Sequence, residues 1–148
     1  MLRTENEYKL AVQKLTEQLA RLTEQRESCT SSGMPEDQTA RVIAPLQSFA
    51  DELQEEIADY ESLKRGEFTE LEGLRGLGTL LVRMRIASGM TQKELADKLG
   101  VDPSAVSRDE RNEYHGITVD RAARIQEALG FKLNSSVTPS SPSPTPSQ

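Results

Sequence analysis

The chain is short of several residue types, and each shortage removes a class of protein. Among 148 residues there is one cysteine, Cys29, and one histidine, His115. A lone thiol cannot close an internal disulfide, and with one imidazole it leaves nothing for a zinc cluster. No metal and no cofactor are expected. Aromatics are 4% of the chain and tryptophan is absent. The apolar content is mostly Leu, Ala, Val and Ile, which suits helices better than a large sheet. No apolar run approaches the roughly 18 residues that span a bilayer. The opening MLRTENEYKL lacks the apolar stretch of a signal peptide. A reduced, cytoplasmic setting without membrane contact is the expectation.

Carboxylates are plentiful, for example Asp51 beside Glu52 and Glu55 beside Glu56. They fall on acidic helix faces, with no cleft-forming sheet and no accompanying base, so an enzyme is not expected.

The net charge of −6 argues at first against a nucleic-acid partner. Its distribution reverses that reading. Residues 1–73 carry 8 Lys/Arg against 16 Asp/Glu, whereas residues 74–148 carry 10 against 8. The acid sits in front and the back half is mildly basic.

Tyr8, Val12, Leu15, Leu19 and Leu22 recur at helical spacing and predict a helix from about residue 5 to 27. The polar stretch SCTSSGMPED reads as a loop and places Cys29 in it. Val42, Leu46, Phe49, Leu53, Ile57 and Tyr60 predict a second helix to about residue 64. Two amphipathic helices joined by a short loop make an antiparallel hairpin. It buries little alone, so its exposed stripe needs a second copy, the back half or another protein to cover it.

Glycines at 66, 73, 76 and 78 punctuate the passage to the next unit. The division expected is a hairpin over 1–66, a compact unit over 67–133 and a disordered Ser/Pro tail over 134–148. Within the compact unit Leu77, Leu80, Leu81 and Met84 share a face. Thr91 with Glu94 forms a capping box for a helix carrying Leu95, Ala96 and Leu99. Asp102 caps the next helix and Pro103 suits its first position. Thr118 and Gly130 bracket a last helix bearing Val119, Ala122, Ile125 and Leu129.

The stretch MTQKELADKLGVDPSAVSRDE therefore holds two short helices separated by a tight glycine turn at Gly100. Such a pair is a helix-turn-helix: small Ala96 at the crossing, with Leu95, Leu99, Val101 and Val106 as buried contacts. Its second helix projects, with a diameter of about 12 Å that matches the major groove of B-DNA.

This stretch resembles the DNA-binding domain of the Cro/repressor, or xenobiotic-response-element, family, from about Leu77 to Leu129. The resemblance implies an all-α, five-helix, lambda-repressor-like unit after the hairpin. It implies DNA contacts by Gln92 and Lys93 at a helix start, and by Pro103, Ser104, Ser107 and Arg108 on the recognition helix. Arg108 would be the main reader of guanine, and Arg85 with Glu110 an internal ion pair. Arg111 and Asn112, with His115, add further contacts. Two departures stand out. Asp109 replaces a large apolar residue, so Tyr114 or the stem of Arg111 has to cover the gap. The stretch RNEYHG is also about one residue longer than the usual turn.

The function expected is a sequence-specific transcriptional regulator, a repressor that binds double-stranded DNA as a homodimer on a palindromic operator. The architecture is also similar to antitoxins of the HigA-like kind, whose toxin partner would bind the hairpin. A third reading is a protein-interaction module of the same fold that does not bind DNA, favoured by Asp102 and Asp109 near the expected phosphates.

Overall fold

Thr4 opens the first helix with a capping box: its hydroxyl accepts from the Glu7 N–H, and the Glu7 side chain turns back to the Thr4 N–H. From there α1 runs over Glu5–Ser31 and α2 returns over Glu36–Lys64. The coordinates are a computed structural model that describes residues 1–68, 71 and 73–140.

The two long helices pack as an antiparallel hairpin, as expected, but the seam is rotated by about one position. Tyr8, Ala11, Leu15, Gln18 and Leu22 of α1 face inward, while Val12 and Leu19 are 38% and 45% exposed. On α2 the inward set is Thr39, Ile43, Leu46, Ala50, Leu53, Ile57 and Tyr60, and Val42 and Phe49 stand outside. Small Ala11 and Ala50 let the backbones approach. Gln18 is tolerated in the seam because its amide donates to the Leu46 carbonyl at 3.3 Å. The loop is also shorter than expected: α1 continues through Ser31, so Cys29 is a buried helical residue rather than a loop residue.

A 3-10 turn, Leu74–Gly76, leads into α3 (Leu77–Ser88), α4 (Gln92–Leu99), α5 (Pro103–Arg111) and α6 (Val119–Leu129). The chain is all-helical among the described residues. The compact unit holds this turn and four α-helices, five helical segments in all. Residues 131–140 carry no helix. Residues 141–148 of the expected tail lie outside the described residues.

α3 is the central helix, with Leu81, Val82, Met84 and Ile86 buried on nearly all sides. Around it close Leu95 and Ala96 of α4, Val106 of α5, and Ala122, Ile125 and Leu129 of α6. Val101, expected inside, is 39% exposed because it follows the left-handed Gly100 out of the core. The hairpin is not a separate body. Tyr60 and Leu63 belong to the same apolar cluster, and Leu2 and Tyr8 bridge it to the hairpin seam. The open end of the hairpin therefore sits on α3, beside the start of α4.

Candidate nucleic-acid interface

The helix-turn-helix is built by local rules. Thr91 accepts from the Glu94 N–H at 3.1 Å and Glu94 accepts from the Thr91 N–H at 2.9 Å, fixing where α4 starts. Gly100 takes a φ of 69° to end α4, a left-handed turn in which a side chain would be strained. Asp102 then caps α5, accepting from the Ser104 N–H at 2.8 Å, with Pro103 in the first turn. Ala96, fully buried, sits where α4 and α5 cross.

Val106 and Glu110 anchor α5 to the body. Ser104, Ser107, Arg108 and Arg111 follow at steps of three, one and three on the other side, a continuous outward stripe. Ser104, Arg108 and Arg111 are exposed and Ser107 is half-buried. With Pro103 exposed at one end and Asn112 at the other as the C-cap residue, the stripe spans roughly 12 Å, two turns of helix.

Comparison with family models decides what this projecting helix belongs to: the helix-turn-helix family model matches residues 81–135. That stretch is similar to helix-turn-helix domains. Comparison with curated proteins and with solved structures gives no match. The match covers residues 81–135, which hold most of α3 and all of α4, α5 and α6, and leaves the hairpin outside it. Among the described residues no helix is long and apolar enough to cross a membrane.

Behind the outward stripe of α5 lies a buried polar network. Arg85 and Glu110, 3% and 0% exposed, form a two-pronged ion pair: Nε to Oε1, and Nη2 to Oε2 at 2.9 Å. The rest of the guanidinium donates to the Met90 carbonyl at 2.9 Å and to the Arg3 carbonyl at 2.7 Å. Gln92 completes it, its amide donating to Glu110 Oε2 at 2.7 Å. This Gln is half-buried, with its side chain turned inward to Glu110. Lys93 beside it is exposed.

Two other groups have partners that the sequence did not reveal. The Ser104 hydroxyl donates to Asp102 Oδ1 at 2.6 Å, and this bond with the backbone one holds the Asp102 carboxyl below its usual range. Asp109 ion-pairs with Arg121 of α6, so its charge is offset within the domain. Arg121 was missed because nothing in a linear reading aligns it with a position 12 residues earlier in the preceding helix. Tyr114, 5% exposed, fills the space left by the small Asp109, whereas Arg111 stays in solvent. Burial, with Glu110 nearby, pushes its hydroxyl well above the usual tyrosine range.

Proposed function

We propose that the protein is a sequence-specific transcriptional repressor that acts as a homodimer on a palindromic operator. The observation that carries this reading is the outward stripe of α5. It presents hydroxyl and guanidinium donors on a helix whose opposite face is locked by Val106 and Glu110. Arg108, near the middle of the stripe and exposed, pairs with guanine O6 and N7 in the major groove. Gln92 and Lys93 stand at the start of α4, where backbone amides and dipole favour phosphate oxygens, while Pro103 and Ser104, whose N–H is taken by Asp102, offer side-chain contacts at the start of α5. Arg111 and Asn112 extend the contact toward the end of α5. A single such helix reads only a few base pairs, so two copies would bind half-sites about 34 Å apart.

The test is selection of duplexes from random DNA, followed by fluorescence-anisotropy titration. Arg108→Ala should cost about 1–3 kcal/mol on the selected site and relax the preference at one base position. If no duplex is enriched and none binds at low salt, the reading fails, and the non-DNA-binding module replaces it.

One observation favours a protein partner in addition. The hairpin leaves Leu10, Val12, Leu19, Val42 and Phe49 exposed on an otherwise acidic surface. That supports the antitoxin reading, in which the hairpin binds a toxin and α5 represses the shared operon. Co-purification of a defined stoichiometric partner, lost with Leu19→Asp and Phe49→Asp, is the expected result.

A further inference from the structure

We propose that the hairpin adds contacts to the DNA backbone: Arg3 and Lys64 hold a phosphate beside the first turn of α4. The proposal rests on the DNA-binding reading of α5 and extends it to a part of the chain outside the helix-turn-helix domain.

The open end of the hairpin and the start of α4 enclose a narrow recess of about 90 Å³, whose walls include Arg3, Lys64, Arg85, Thr91 and Gln92. Arg85 brings no free charge to it, because Glu110 and two carbonyls already take up its guanidinium. The positive charge open to a ligand comes from the hairpin. Lys64 is exposed and has no ion pair among the described residues. Arg3 is half-buried, and its Nε is sealed from solvent with no hydrogen-bond acceptor. An isolated buried donor is costly, and a turn of the Arg3 side chain toward the recess it lines would bring Nε to a phosphate oxygen there.

The position of Arg3 is fixed, not incidental. Its carbonyl accepts from Arg85 Nη2 at 2.7 Å, and Thr4 immediately caps α1. Glu5 also borders the recess and Glu61 lies close by in the hairpin. Both are engaged with tyrosines, the Tyr60 hydroxyl donating to Glu5 at 3.1 Å and the Tyr8 hydroxyl to Glu61 at 2.7 Å. These carboxylates lower the local potential without occupying the recess.

Gln92 links this site to the reading helix, since it borders the recess and bonds Glu110 at the end of α5. A phosphate held here would set the register in which α5 enters the groove. Phosphate contacts position a protein on DNA and base contacts specify the sequence.

The experiment is a salt titration of the full chain on a selected duplex and on an unrelated one. Replacing both Lys64 and Arg3 by Gln should reduce the slope of log K against log salt by about 0.9, the release of one phosphate's counterion, and Lys64→Gln or Arg3→Gln alone by a part of it. Both duplexes should lose affinity by the same factor. Lys14→Gln, an exposed cation midway along α1, should leave the slope unchanged. Lys64 is at the surface, so Lys64→Gln keeps its thermal melting point and reads the contact alone. An unchanged slope for Lys64→Gln, or an equal loss for Lys14→Gln, overturns the proposal while leaving α5 as the reader. If the wild-type chain binds neither duplex, the DNA reading and this proposal fall together.

Discussion

Arg85 Nη2 donates to Glu110 Oε2 at 2.9 Å across 25 residues of sequence, with both side chains shut away from solvent. The pair ties the central helix to the end of α5. Taking two charges out of water is expensive, so such a pair is weak evidence of added stability, yet losing one partner strands the other. Glu110→Ala should therefore destabilise the fold by about 3–5 kcal/mol. The double replacement Arg85→Met with Glu110→Leu should recover most of that loss. Urea unfolding of the three variants measures both values. A mild Glu110→Ala effect would mean that water reaches the site.

Gly78 is required by space rather than by backbone angle. It lies buried at the start of α3, and an added Cβ would collide with the Glu113 carbonyl oxygen. That carbonyl belongs to an unusual turn in which Glu113 and Tyr114 both have φ near 52°, a conformation that non-glycine side chains seldom adopt. The turn has no easy way to retreat, because Tyr114 is anchored in the core. Gly78→Ala should cost about 1–3 kcal/mol by overpacking, seen as a lower thermal midpoint. Gly33, with open space around it, should tolerate a Cβ sterically and suffer only from its positive φ.

How legible each feature was follows from how local its cause is. Thr91 with Glu94, Asp102 with Pro103, and Thr118 with Gly130 were readable because caps are settled within about four residues. The hairpin was readable as two helices, but its register was not. Val12 and Leu19 looked like seam residues by hydrophobicity, while the seam took Ala11 and Gln18 one position away. A seven-residue spacing fits either choice, and only the partner helix, with its small Ala50 and the Leu46 carbonyl, selects between them. The outward placement of Ser104, Arg108 and Arg111 on α5 was legible from the helical spacing around buried Val106 and Glu110. The Arg3 carbonyl on Arg85, 82 residues apart, and the fit of Gly78 under Glu113 had no local signal.

Alkali should find the junction between hairpin and domain. Tyr60 stacks on Tyr8 with ring centroids 5.0 Å apart and donates to Glu5. Burial first, and then that bond and the charge of Glu5, push its hydroxyl up to about 12. A raised folded value means stability that is complete below the unfolded value of 10.0 and is lost as pH rises through about 12. Tyr8 and Tyr114 are shifted in the same direction, Tyr8 mainly by its bond to Glu61. The urea midpoint of the wild type should thus fall across this window. Tyr60→Phe should fall less steeply there, because one of the three contributing hydroxyls is gone. Equal slopes for the two proteins would refute the assignment.

Asp102 sets two demands against each other at the start of α5. As a cap it accepts from the Ser104 N–H and hydroxyl, but under the proposed DNA-binding function its negative charge would stand near the approaching phosphates. The carboxyl titrates below its usual 3.8, so its contribution to the helix is present above 3.8 and disappears as pH falls through the lower folded value. Asparagine caps about as well as aspartate and carries no charge. Asp102→Asn should accordingly leave neutral-pH stability almost unchanged and remove this acid sensitivity. It should also tighten DNA binding by a similar factor on specific and unrelated duplexes, since charge near the backbone carries no sequence information. Asp102→Ala loses the cap as well, and should lower the melting temperature while gaining less affinity. If Asp102→Asn weakens binding instead, the carboxylate itself contacts a base, and cytosine N4 is the donor it would meet.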